Sequence, residues 1–133
     1  MKIESPNFLL RAGVAVILIM HSVPGMFNNG VNQFGYLYLD NVGFAPFGIF
    51  LAWAIKLSHV GCALTLLLDR YMKCFAWITI AILIVGIVMV HAREGWFVVG
   101  SGRNGVEFNF LLIIALVTVL YPDGFKKRPL PRS

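Results

Sequence analysis

Four runs of apolar residues divide the chain, at 8–23, 44–68, 74–90 and about 105–121. A membrane-spanning helix needs about 20 apolar residues, within a range of about 17–25. The first run stops at Pro24-Gly25, the second at Asp69-Arg70, the third at His91-Ala92-Arg93-Glu94 and the fourth at Pro122-Asp123-Gly124. Leu, Ile, Val and Phe dominate all four, and no internal repeat breaks the pattern. It predicts an all-α fold: an integral membrane four-helix bundle, one domain over 1–133, with a basic tail over 122–133. Arg11 falls inside the first run and is expected to snorkel from its beginning. That arginine, with no Ala-x-Ala site after the run, argues for a retained helix rather than a cleaved leader.

Composition supports this reading. Hydrophobic residues make up 59% of the chain and charged residues 13%, and the mean hydropathy is +0.80. A soluble domain has roughly 45–50% apolar and about 25% charged residues. A net charge of +5 would suggest nucleic acid in a soluble protein. Here the cations flank apolar runs, so nucleic acid is set aside. The expected partners are the bilayer and other membrane subunits or a second copy. Lys2, Arg11, Arg70, Lys73, Lys126, Lys127, Arg128 and Arg132 fall on one side, and only Arg93 and Arg103 on the other. The excess of Lys and Arg in cytoplasmic segments predicts both termini inside. Cations in the tail are attracted to anionic lipid by about 1 kcal/mol each, but their first reading is topology. Pro129 and Pro131 argue against a helix there.

The segment 24–43 reads as a polar, aromatic outside loop, expected to fold back on the helix ends. Tyr36, Tyr38 and Trp96 suit the headgroup level. Gly100-Ser101-Gly102 lacks the spacing of a phosphate-binding loop. Cys62 and Cys74 fit neither a redox pair nor a zinc set; at different depths, they read as buried thiols acting as small hydrophobes.

The chemistry lies in Lys56-Leu-Ser-His59, near the centre of the second run. A charge at mid-membrane costs about 2.5–3.5 kcal/mol on insertion scales and is tolerated where it faces a cavity or partner. Spacing of three puts Lys56 and His59 on one helical face. His21, His91, Glu107 and Asn109 are expected nearer the outer surface. Together these six are the candidate ligand or partner contacts: a polar pocket opening outward and ending near mid-depth, with the Lys56 stem reaching toward Glu107. No catalytic residue is assigned. Each also has a plain structural reading. Glu107 would complete a capping box with Asn104 or pair with Arg103. His21 and His91 would bond headgroups or loop carbonyls. His59 would tie neighbouring helices together, and Lys56 would snorkel. No histidine pair has metal-site spacing, and no second histidine is expected at the depth of His59, so neither a metal nor a haem is expected.

Arg11, the Pro/Gly-containing first loop, Gly95-Trp96-Phe97 followed by Asn104-Gly105-Val106-Glu107-Phe108, and Gly61 with Ala63-Leu64-Thr65-Leu66-Leu67-Leu68 and Arg70 resemble the DoxX family of small membrane proteins over about residues 8–122. Glu107 matches the family glutamate. Two departures stand out. His59 lies where the family often has an acidic residue, and Tyr121-Pro122-Asp123-Gly124 replaces the family's usual end to helix four. The resemblance implies a four-helix bundle in a bacterial inner membrane. It also implies a part in quinone- or sulfur-linked redox complexes, since relatives include a subunit of thiosulfate:quinone oxidoreductase. Three functions follow: an accessory or assembly subunit of a larger membrane complex; a redox component holding a quinone or similar apolar ligand through Lys56, His59 and Glu107; and a small proton or solute transporter.

Overall fold

The computed structural model describes residues 7–100 and 102–125, so the expectations for Lys2 and for the basic tail from Lys126 onward lie outside the described residues. The described residues are helical with no strand. The helices are α1 (Phe8–Phe27), α2 (Gly30–Gln33), α3 (Gly48–Leu68), α4 (Met72–Met89) and α5 (Glu107–Leu120). α2 runs directly into a π-helical segment, Phe34–Phe44, and a single 3-10 turn, His91–Glu94, follows α4.

Three helices, α1, α3 and α4, are long and apolar enough to cross a membrane. α5 is apolar but has 14 residues, which at 1.5 Å per residue spans only about 21 Å of a hydrocarbon core about 30 Å thick. α1 packs on α3 and α5, and α4 packs on α3 and α5. Their shared core holds Leu18, Leu66 and Leu116 with almost no exposure, and small residues at Ala15, Ala63 and Ala76 bring the helices close. Small residues at such contacts are how membrane helices gain van der Waals packing where lipid removes the hydrophobic drive.

The first connection differs from the sequence expectation. Pro24 does not stop α1, which continues to Phe27. Proline removes one backbone donor and crowds the preceding turn, and membrane helices absorb this through neighbouring partners. Residues 30–43, expected as loop, form α2 and most of the π-helical segment, which leaves helical geometry only at Gly43, φ 112. Val31, Phe34, Gly35, Tyr38 and Leu39 recur with helical period, and Val31 and Leu39 pack on Ala52 of α3 in a second, smaller core. α3 accordingly begins at Gly48 rather than Phe44. Asp40 Oδ1 accepts the Gly48 N–H at 2.8 Å and so supplies an otherwise missing partner at the first turn of α3. The approach is close: a methyl on Gly35 would lie 2.5 Å from the Ile49 Cα.

The turn between α3 and α4 places Asp69 and Tyr71 at φ 58. Here Arg11 does not snorkel. It is 3% exposed, and its Nη1 bonds Asp69 Oδ1 at 2.6 Å. Cys62 is buried, but Cys74 is exposed on the first turn of α4, so the expectation of two buried thiols holds for one only.

Candidate ligand site between the first and third helices

Lys56 and His59 project from α3 toward α1. Pro24 cannot donate to the Met20 carbonyl, and in that altered turn the adjacent His21 carbonyl accepts a bond from Lys56 Nζ at 3.1 Å. Lys56 Nζ also stands 5.8 Å from the centre of the Phe34 ring, a cation–π distance. Lys56 therefore reaches α1 and the π-helical segment, and not Glu107 as the sequence suggested.

His21 meets His59. Their ring centres lie 5.9 Å apart, inclined at 51°. The sequence placed no histidine at the depth of His59; the packing of α1 on α3 brings His21 alongside it. His59 is 3% exposed, and neither ring nitrogen has a hydrogen-bond partner. One ring nitrogen of a neutral imidazole donates and the other accepts. Each left unmatched costs about 1–3 kcal/mol. The hydroxyls of Ser22 and Thr79 are also buried and unpartnered. No carboxylate pairs with Lys56, His21 or His59 among the described residues. The site is thus rich in donors, carries at least one cation and has no counter-charge of its own.

His91 and Asn109 border the same region. His91 Nδ1 is 2.6 Å from the Asn104 carbonyl. Asn109, buried at 7% exposure, faces Gly86 of α4. A methyl on Gly86 would be 3.6 Å from Asn109 Nδ2 and 4.0 Å from the His91 ring.

Glu107 stands apart. Its Oε1 accepts the Val98 N–H at 2.7 Å, which holds the 95–106 connection against the start of α5. The capping box with Asn104 does not form: no side chain caps α5, and Asn104 is left-handed at φ 53. Arg103 lies 3.9 Å from Glu94 instead of Glu107.

Beside the polar group runs a groove of about 430 Å3 between the π-helical segment, α3 and α4. Phe34, Tyr38, Ile55, Val85 and Gly86 line it, and its surface is almost wholly apolar. Phe34 is the ring beneath Lys56, and Gly86 is the residue facing Asn109, so groove and polar group share two walls. Among the described residues no group of three or more His, Cys, Asp or Glu side chains is placed to hold a metal ion.

Sequence reasoning missed the Arg11–Asp69 pair because its members lie 58 positions apart, although Asp69 was visible as the residue that ends the second run. It also missed the groove, one wall of which, Phe34, Tyr38 and Leu39, comes from the segment read as loop.

The three membrane-length apolar helices and the charged and polar side chains buried between them define a multi-pass, lipid-embedded membrane protein. The chain belongs to the DoxX family, whose model matches residues 7–92, well over half its length. Arg11, His21, Lys56, His59 and His91 lie within the match, and Glu107 lies beyond it. No curated protein and no solved structure matches the chain.

Proposed function

We propose that this DoxX protein binds a lipid-soluble small molecule at His21, Lys56 and His59 and works as a subunit of a larger membrane complex. In this reading α5 completes a four-helix bundle of one domain, both termini are cytoplasmic, and the membrane is a bacterial inner membrane. The observation that carries the ligand is His59: a buried imidazole with two unmatched nitrogens, beside a lysine that has only a carbonyl for a polar partner. A head group with hydrogen-bond-accepting oxygens would satisfy both. Quinones belong to that class, and they would connect the site to redox chemistry supplied by a partner. His91 and Asn109 would border the head group, while Glu107 supports the loop above it.

The subunit role has separate support. An apolar cleft of about 250 Å3 runs between α1 and α5 past Gly13, where a methyl would meet nothing within 4 Å. Such an open small-residue position suits a closely packed partner helix. Transport is the weaker reading. Between His59 and the Arg11–Asp69 pair the bundle is filled by Leu18, Ala63, Leu66 and Leu116, which favours a blind pocket over a path.

The test is purification from native membranes in mild detergent, with mass spectrometry of bound protein and of an organic extract. A stoichiometric small molecule, lost in His59→Leu, supports the ligand reading. A protein that carries nothing, and whose stability His59→Leu leaves unchanged or raises, refutes it. A stoichiometric protein partner supports the subunit role.

A further inference from the structure

We propose that the ligand is a single-chain lipid carboxylate, a long-chain fatty acid, with its head on Lys56 and its tail in the groove beside α4. This rests on the ligand reading above and names the chemical class. The head follows from charge. Lys56 has a carbonyl and an aromatic face as neighbours but no carboxylate among the described residues. Lys56 is half-buried; a cation partly withdrawn from water without a counter-charge is costly, and an anionic head supplies the missing charge. A carboxylate also accepts up to about four hydrogen bonds, so it can take one from Lys56 and one from the His59 ring, which has none.

The tail follows from continuity. Phe34 carries Lys56 over its ring and lines the groove, and Ile55, one turn from His59 on the same face of α3, lines it too. A chain leaving the head therefore passes directly onto apolar wall. Val85, half exposed, forms part of the open side, so the chain can enter from the bilayer. At about 430 Å3 the groove lies toward the small end of ligand pockets, which run from about 300 to 1,000 Å3. That size favours one chain over two, and so a fatty acid over a phospholipid.

The test uses the whole chain in phosphatidylcholine nanodiscs with a diazirine-bearing hexadecanoate as photoprobe. Palmitate, hexadecanol and decyl-ubiquinone compete. The probe is expected to label peptides from 34–44 and 81–90. Palmitate should compete about tenfold or more better than hexadecanol, the scale of one charge-assisted hydrogen bond. Lys56→Met should abolish that preference and Lys56→Arg should keep it. Val85→Trp, a change on the open side of the groove, should reduce labelling by competitor-sensitive probe without altering the preference. Equal competition by hexadecanol, or a preference that survives Lys56→Met, overturns the proposal. If decyl-ubiquinone competes best and His59→Leu removes it, the ligand reading stands and the carboxylate falls. If no competitor reduces labelling, both fall.

Discussion

Removing the carboxylate of Asp69 should destabilise the bundle far more than removing the guanidinium it serves. Arg11 is 3% exposed and has one short bond, 2.6 Å to Asp69 Oδ1; its Nε and Nη2 are buried without partners. In Asp69→Asn the cation stays buried and loses its only carboxylate among the described residues. Stranding one member of a buried pair costs about 3–5 kcal/mol. Asp69 is 30% exposed, so water reaches its side of the pair, and the expected loss is nearer 2–3 kcal/mol, the range for a hydrogen bond to a charged group. Arg11→Met removes the charge together with its desolvation cost, keeps similar volume, and should change stability by less than about 1 kcal/mol. The double variant should recover most of the loss, giving a coupling energy of about 2 kcal/mol. Equilibrium unfolding in mixed micelles with increasing dodecyl sulfate measures all four proteins. A neutral Asp69→Asn, or a double variant no more stable than Asp69→Asn, would refute the reasoning that the pair holds this end of the bundle.

Glu107→Gln keeps the shape of the side chain but weakens its bond to the Val98 N–H; we expect about 1 kcal/mol of local stability lost and faster proteolysis within 95–106, while Arg103→Ala, at an 84% exposed side chain, changes neither. Gly35→Ala drives a methyl into the Ile49 backbone and should cost about 1–3 kcal/mol, read as loss of the folded form in the same unfolding titration; a neutral result would contradict the close approach of the π-helical segment to α3. Cys74 should react with a membrane-permeant maleimide while Cys62 stays protected. With impermeant reagent on intact cells, protection of Cys74 fits cytoplasmic termini, and labelling overturns that orientation.

The apolar spans were legible because a bilayer imposes a length and a composition that few other structures share. α1, α3 and α4 therefore begin and end within a few residues of where hydropathy alone places them. Pro24 misled because its local cost is real but small beside the requirement that a backbone near lipid stay hydrogen-bonded. The helical nature of 30–44 was present in the spacing of Val31, Phe34, Gly35, Tyr38 and Leu39. Asn, Gly and Asp between them outweighed it, and a turn-rich composition is a weaker signal than a five-position period. Lys56 and His59 were marked by their depth. Their partners were not, since depth along one helix says nothing of which face a second helix presents. The bond from Lys56 to His21, and the carbonyl partner of His91, depend on packing across 35 and 13 positions.

The bundle treats Arg11 and Lys56 in opposite ways, and this contrast carries the functional argument. Arg11 comes with its own carboxylate, placed at the turn where the chain reverses, and the pair forms a self-contained structural unit. Lys56 comes with a carbonyl and the face of a ring, both neutral, and beside it lies an imidazole with nothing bound. If Lys56 served only to pin α1 at Pro24, His59 would have no reason to stay polar: leucine would fill the same space without an unmatched donor and acceptor. A fold that supplies a counter-ion to Arg11 and, among the described residues, none to Lys56 leaves room there for charge from outside the chain. The free groove that begins at Phe34 and Ile55 lies where that charge would arrive attached to something apolar.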